Sequence, residues 1–160
     1  MQSIQLICVG KLKERFYTDA AAEYVKRLSA YCKLTVTEVN EERLPSNPSQ
    51  AQIDAALARE ADAIRGKIPS GSGLVALCVE GKLLSSEELA SQMAKWANGG
   101  QSSLTFVIGG SFGLHPSVKQ QAALRLSMSP MTFPHHMARV MVLEQIYRAF
   151  KIQEGSRYHK

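Results

Sequence analysis

SLTFVIGGSFG, residues 103–113, is the stretch on which the fold turns: a run of apolar and β-branched residues that ends abruptly in glycines. A short continuous apolar run closed by glycine is the pattern of a strand buried on both faces. Such strands belong to parallel sheets covered by helices on each side. In open sheets of this kind ligands sit beyond the carboxyl ends of the strands. Glycine at that point lets a ligand come close to backbone N–H and C=O groups. Taken alone, Gly109-Gly110-Ser111-Phe112-Gly113 is a weak signal, because it is neither the GxGxxG dinucleotide fingerprint nor a GxxxxGK[ST] phosphate loop. It serves equally well as a tight turn from strand to helix.

Working toward the N-terminus, Ser85 and Ser86 ahead of Glu87 and Glu88 predict a capped helix over 86–97, stopped by Asn98-Gly99-Gly100. LVALCVEG (74–81) predicts another buried strand. The Ala-rich segment 51–68 predicts a helix with Ser49 as N-cap, after the proline-bearing loop 42–50. LTVTEV (34–39) and SIQLICV (3–9) predict strands, with a helix over 13–30 between them. Toward the C-terminus, Pro116 suits a first helical turn, LRLSMSPMTF (124–133) a short strand followed by an apolar loop, and 134–152 a last helix. Strands alternating with helices imply right-handed βαβ units. The expected fold is α/β, a mostly parallel sheet with flanking helices in a single domain spanning 1–160.

The composition, 45% hydrophobic and 21% charged, is that of a globular protein. No apolar run approaches the roughly 18 residues of a membrane helix, and MQSIQLICVG is too brief for a signal peptide. Cys8, Cys32 and Cys78 are odd in number and sit in strand-like runs, as reduced cytoplasmic thiols do; no CxxC or His–Cys spacing supports a metal. The net charge of +5 is unevenly placed. Residues 1–114 hold twelve basic and twelve acidic side chains, whereas 115–160 hold seven basic ones against Glu144 and Glu154, together with all four histidines. Such concentration suits a polyanionic partner such as RNA, although a solvated basic face would look the same.

The last helix is apolar on nearly every side, with Val140, Met141, Val142, Leu143, Ile146, Tyr147 and Phe150 among its residues. A helix covered on one side by its own sheet and on another by a second subunit has this pattern, so a homodimer is expected. Three strand ends, Leu77–Gly81, Gly109–Gly113 and Ser127–Pro134, could converge on one apolar pocket with exposed backbone groups, the form that an adenosine site takes.

The segments VGKLKE (9–14), LCVEGK (77–82), FVIGGSFGLH (106–115), LSMSPMTFPHHMARVMVLEQIYRAFKI (126–152) and YHK (158–160) together resemble the ribosomal RNA large subunit methyltransferase H family, of the SPOUT class. The resemblance spans essentially the whole chain. It implies a C-terminal deep trefoil knot, S-adenosylmethionine as methyl donor, and a homodimer. The implied reaction is N3-methylation of a pseudouridine in 23S ribosomal RNA within the assembled large subunit. Carried over by motif, the donor would lie among Leu77, Gly109, Gly110, Met128, Ser129, Pro130, Met131, Thr132 and Phe133. The family's C-terminal tail is taken to reach the target base in the partner's site.

An imide N3–H is a weak acid, so a base or a nearby cation should assist. His159 is the first candidate base by residue type, with a surface-tail histidine as the plain alternative. His135, beside the donor loop, is the second, and could equally cap the last helix. Arg148 either contacts phosphate or the base carbonyl, or pairs with Glu144 one turn earlier. Tyr158 could stack on a base or pack on its own surface. Lys11, Lys13 and Arg15 either extend a phosphate-contacting surface or form a solvated helix start. The rival readings are a non-enzymatic ribosome-binding protein, which needs no nucleotide-shaped pocket, and an adenine-nucleotide-binding regulator, which needs no basic tail.

Overall fold

The computed structural model describes residues 1–160, and its elements follow the local chemistry closely. Five strands and five helices alternate: β1 (Gln2–Val9), α1 (Arg15–Leu28), β2 (Cys32–Val39), α2 (Gln50–Arg65), β3 (Gly73–Leu83), α3 (Ser86–Asn98), β4 (Ser103–Ile108), α4 (Pro116–Gln121), β5 (Leu124–Ser127) and α5 (His135–Gln153). Two helices begin with reciprocal capping boxes. Ser49 Oγ accepts from the Gln52 N–H at 3.2 Å while Gln52 Oε1 accepts from the Ser49 N–H at 2.8 Å. Ser85 and Glu88 repeat the exchange at 3.1 and 2.7 Å. Each box satisfies two backbone donors that the first turn leaves without intrahelical partners.

The strands form one sheet in the order β2-β1-β4-β3-β5, with every pairing parallel. Alternate side chains divide between two layers. Ile4, Leu6, Cys8, Val75, Phe106 and Ile108 face α1, α3 and α5; Ile7, Val9, Leu74, Ala76 and Val107 face α2 and α4. The first layer holds 19 buried residues and the second 10, so most of the core rests on the face that α5 covers.

β3 departs from the expected uniformly buried strand. Only Leu74–Ala76 are buried. Pairing with β5 jumps from Leu77 to Lys82, leaving residues 78–81 as a bulge. The cause lies next door: β4 pairs with β3 only as far as Ala76↔Val107, so the rest of β3 lacks a neighbour on that side.

The segment after β5 makes a crossing that shapes everything functional. β5 lies at one edge of the sheet. Yet Arg139, in the second turn of α5, donates to the Gly10 carbonyl at 3.0 Å and to Glu38 at 2.7 Å, at the ends of β1 and β2. The chain from 128 to 134 therefore passes over the carboxyl ends of β3 and β4 before α5 begins.

Candidate active site

That crossing closes a cleft of about 680 Å³ at the carboxyl edge of the sheet, walled by the ends of β3 and β4 and by the loop after β5. Of the residues expected to hold a donor, Leu77, Gly109, Gly110, Met128, Ser129, Met131, Thr132 and Phe133 line it, and Pro130 stands exposed in the same loop, off the lining. The turn after β4 is backbone laid on backbone. A Cβ built on Gly109 would lie 2.4 Å from the Gly113 carbonyl oxygen, and Gly113 has φ +79°. Gly110 and Gly113 form an antiparallel bridge that folds the turn back on itself. The β5–α5 loop is held from within: Ser127 Oγ donates to the Ser129 carbonyl and the Met131 N–H to Ser129 Oγ, both at 3.0 Å. Lys119 of α4 pairs with Glu80 at the rim, and this bond holds the Glu80 carboxyl below its ordinary range.

The fit to an adenosine-bearing sulfonium donor can be judged from this lining. The volume falls within the roughly 300–1,000 Å³ usual for small-molecule sites. Glycine leaves backbone groups approachable, and Ser129 and Thr132 supply hydroxyls. The apolar side chains Val79, Phe112 and Met131 are 46%, 50% and 73% exposed around the mouth, surface that a bound ring would cover. The residues present fit such a group.

One residue here has no counterpart in the sequence-based expectations. Glu41, just past β2, accepts from Ser111 N–H at 3.0 Å and from Ser111 Oγ at 3.1 Å. Its carboxylate also fills the space over Gly110, where a Cβ would meet Oε1 at 2.6 Å. Its other oxygen lies 3.9 Å from His135 Nε2, a buried atom with no hydrogen-bond partner. Glu41 thus buttresses the glycine turn and faces the first residue of α5. No pattern in Asn40-Glu41-Glu42 singles it out; the only hint is its place after a strand's carboxyl end.

His135 lines the cleft as expected. Pro134 takes the N-cap position of α5 with no side-chain cap, so the structure does not use His135 as a cap. Burial, aided by the positive fields of His136 and Arg139 against Glu41, lowers the His135 pKa below its ordinary value. Its imidazole is therefore neutral at neutral pH and able to accept a proton. His135 also forms part of a second, polar cavity of about 900 Å³ on its other side.

Arg148, Tyr158 and His159 are brought together, but away from this cleft. Arg148 Nε donates to Glu144 at 2.7 Å, its guanidinium lies 4.7 Å over the Tyr158 ring, and Tyr158 Oη donates to Glu144 at 2.7 Å. Burial and the Glu144 carboxylate push the Tyr158 hydroxyl up to about 12. Arg148 Nη1 lies 3.1 Å from His159 Nδ1, and His159 Nε2 meets Glu87. A guanidinium only donates, so Nδ1 is the acceptor and the proton sits on Nε2. In this arrangement the Nδ1 lone pair of His159 is occupied by the Arg148 guanidinium. Of this cluster only Glu144 lines a mostly apolar cavity of about 490 Å³ between α3 and α5, which shares Leu126 and Met128 with the first cleft.

Against this geometry the comparisons with known proteins are informative. A family model described as "Predicted SPOUT methyltransferase" matches residues 2–159. Ribosomal RNA large subunit methyltransferase H of Leuconostoc mesenteroides is 48% identical over 158 residues, covering 99% of both chains. The protein of the same name from Pelotomaculum thermopropionicum is 47% identical over 159 residues, again with 99% of both covered. A crystal structure of a methylase family protein from Neisseria gonorrhoeae superposes with a TM-score of 0.54 at 16% identity, over 90% of this chain and 81% of that one, a likeness of fold alone.

Proposed function

This chain belongs to the SPOUT methyltransferase family, and we propose that it transfers a methyl group from S-adenosylmethionine to N3 of a pseudouridine in large-subunit ribosomal RNA, working as a homodimer on the assembled subunit. The observation that carries the reading is the cleft itself, in which the Gly109–Gly113 turn meets the Met128–Phe133 loop across the end of β3. The near-half identity to relatives named for ribosomal RNA methylation extends over the full length and supports the same substrate.

When bound, the donor supplies an electrophilic methyl on a sulfonium, so the chain's own tasks are positioning, exclusion of water and removal of the N3 proton. Leu77 and the loop Met128–Phe133 would enclose the donor, with the backbone at Gly109 and Gly110 against it. His135, neutral and at the boundary of the cleft, is positioned to accept a proton there. Arg148, Tyr158 and His159 form the second candidate set. Since they do not line the cleft of their own chain, the reading assigns them to the partner's site, where the tail would meet the target base.

The dimer is supported by apolar surface that a lone chain leaves uncovered. Phe16 and Val25 of α1 are 65% and 37% exposed, and Met137 of α5 is 39% exposed, on two helices that pack together. The reading also carries the deep trefoil knot implied by resemblance, to which the crossing of 128–134 over the ends of β3 and β4 is suited.

The experiment is tritium transfer from labelled S-adenosylmethionine to ribosomes from cells lacking the endogenous enzyme, followed by mapping of the modified nucleotide. Label confined to one large-subunit pseudouridine is expected. No transfer to ribosomes or free rRNA, by a protein shown to bind the donor, would remove the substrate assignment and leave the family.

A further inference from the structure

Methyl transfer needs an acceptor seat beside the donor, and three further cavities share lining residues with the proposed donor cleft. The one reached over Ser111 and Phe112 is lined by Glu41, Glu42 and Glu60 with no cation, which suits no polyanion. The cavity between α3 and α5 is mostly apolar. The third lies across His135, at the carboxyl ends of β1 and β2, and has no hydrophobic residue in its lining. Its charges are unequally engaged. Glu14 lies 3.6 Å from His136, Glu42 lies 3.4 Å from Arg59, and Glu41 is committed to Ser111 and faces His135. Lys11, Lys13 and Arg43, by contrast, are exposed and make no ion pair or side-chain hydrogen bond. Three acids and three cations thus line this cavity, and of the acids only Glu42 pairs with a permanent cation, Arg59. What sets Lys11, Lys13 and Arg43 apart is that they are exposed and unpaired, free to turn toward an anionic ligand, while Glu41 is turned away into the Ser111 turn.

We infer that this polar cleft is the seat of the RNA strand that carries the acceptor base, with Lys11, Lys13 and Arg43 taking its phosphodiester groups and His135 standing as the wall shared with the donor. The inference rests on the proposed RNA methyltransferase activity and adds which surface of the chain meets the substrate. Backbone phosphates suit these residues because long, mobile, unpaired cations contact charge without reading sequence. The adjacency suits the reaction, since the acceptor must come within about 3–3.5 Å of the methyl, and His135 borders both spaces. It also separates this patch from the basic excess of residues 115–160, which lies largely outside this cleft.

The test compares two charge-matched variants of the full-length protein. One is Lys11→Gln/Lys13→Gln/Arg43→Gln. The control is Lys33→Gln/Lys67→Gln/Lys95→Gln, three cations at the opposite, amino-end edge of the sheet with no ion pair in the structure. Methyl transfer to ribosomes lacking the modification is measured over a range of salt concentrations, and donor affinity by calorimetry. In the cleft variant KM for ribosomes should rise about tenfold or more, and the slope of log affinity against log salt should flatten by about 2–3, at 0.7–0.9 per lost phosphate contact. Donor affinity should stay unchanged in both variants, and KM should stay near wild type in the control. Equal effects of the two triples, or an unchanged KM and slope in the cleft variant, would overturn the inference while leaving the activity standing. Absence of transfer by the wild-type protein to ribosomes and to free rRNA would instead bring down the functional reading, and the inference with it.

Discussion

At its first turns α5 is anchored by Arg139, whose side chain is 5% exposed and whose bonds reach Glu38 and the Gly10 carbonyl. At its last turns the same helix is tied to the tail through Arg148, 25% exposed, with Glu144, Tyr158 and His159. The first end sits in a region built from backbone: glycine laid against carbonyl, a loop closed by its own serines, a strand end bulged away from its neighbour. The second is a web of side chains near the surface. A region made of backbone and shape fails sharply when one atom is added. A region made of half-buried side-chain bonds with several partners yields by degrees, because water and the remaining partners replace part of what each bond contributes.

Removing Tyr158–Lys160 should test the division of labour most severely. Transfer is expected to fall by about 100- to 10,000-fold, the range of a lost acid–base group, with donor affinity within about twofold. Calorimetry and single-turnover kinetics on one preparation separate the two, and a matching loss of donor affinity would show that the ends are not independent. Next in size is Gly109→Ala, where the added Cβ would lie 2.4 Å from the Gly113 carbonyl. Donor affinity should drop by about 100-fold, roughly 2.7 kcal/mol. An alanine variant that still binds normally would mean the turn gives way more readily than backbone-on-backbone contact allows.

Arg139→Met compares the anchors themselves. It strips Glu38 of its partner, and a broken buried pair costs about 3–5 kcal/mol. Glu38 is 35% exposed and partly hydrated, so about 2–3 kcal/mol by urea denaturation is the expectation here. Arg148→Met leaves Glu144 with the Tyr158 hydroxyl as a remaining donor and should cost less, about 1–2 kcal/mol, and equal costs would erase the contrast. The smallest effect concerns pH. The folded His135 pKa lies below its unfolded value, so the unfolded chain takes up the proton first on acidification. Stability associated with this group is intact above the ordinary histidine pKa and is lost as pH falls from there through the lowered folded value. His135→Gln should flatten that part of the Tm-versus-pH curve, and an unchanged slope would show that burial of the imidazole is not its source.

Much of the proposed donor cleft was legible because its parts are local. Ile108–Gly113 reads as a strand end from a handful of consecutive residues, and the loop Met128–Phe133 is carried by a long resemblance. The bulge at 78–81 was not legible, since it depends on where β4 stops rather than on anything within Cys78-Val79-Glu80-Gly81. The state of His159 was not legible either. Its residue type suggests a base, while the contact with Arg148 that occupies its lone pair arises only once the tail folds back on α5.

The sequence by itself determined the alternation of strands and helices, the two capping boxes and the burial of β1 and β4, because periods of 2 and 3.6 residues and cap chemistry act over a few neighbours. Only the tertiary structure decided that β1 lies between β2 and β4, that Glu41 reaches Ser111 seventy residues away, and that Arg139 finds Glu38 across 101. Those pairings rest on one condition that no local pattern encodes: the chain must cross the carboxyl edge of the sheet, and groups buried by that crossing must find partners among residues it brings near.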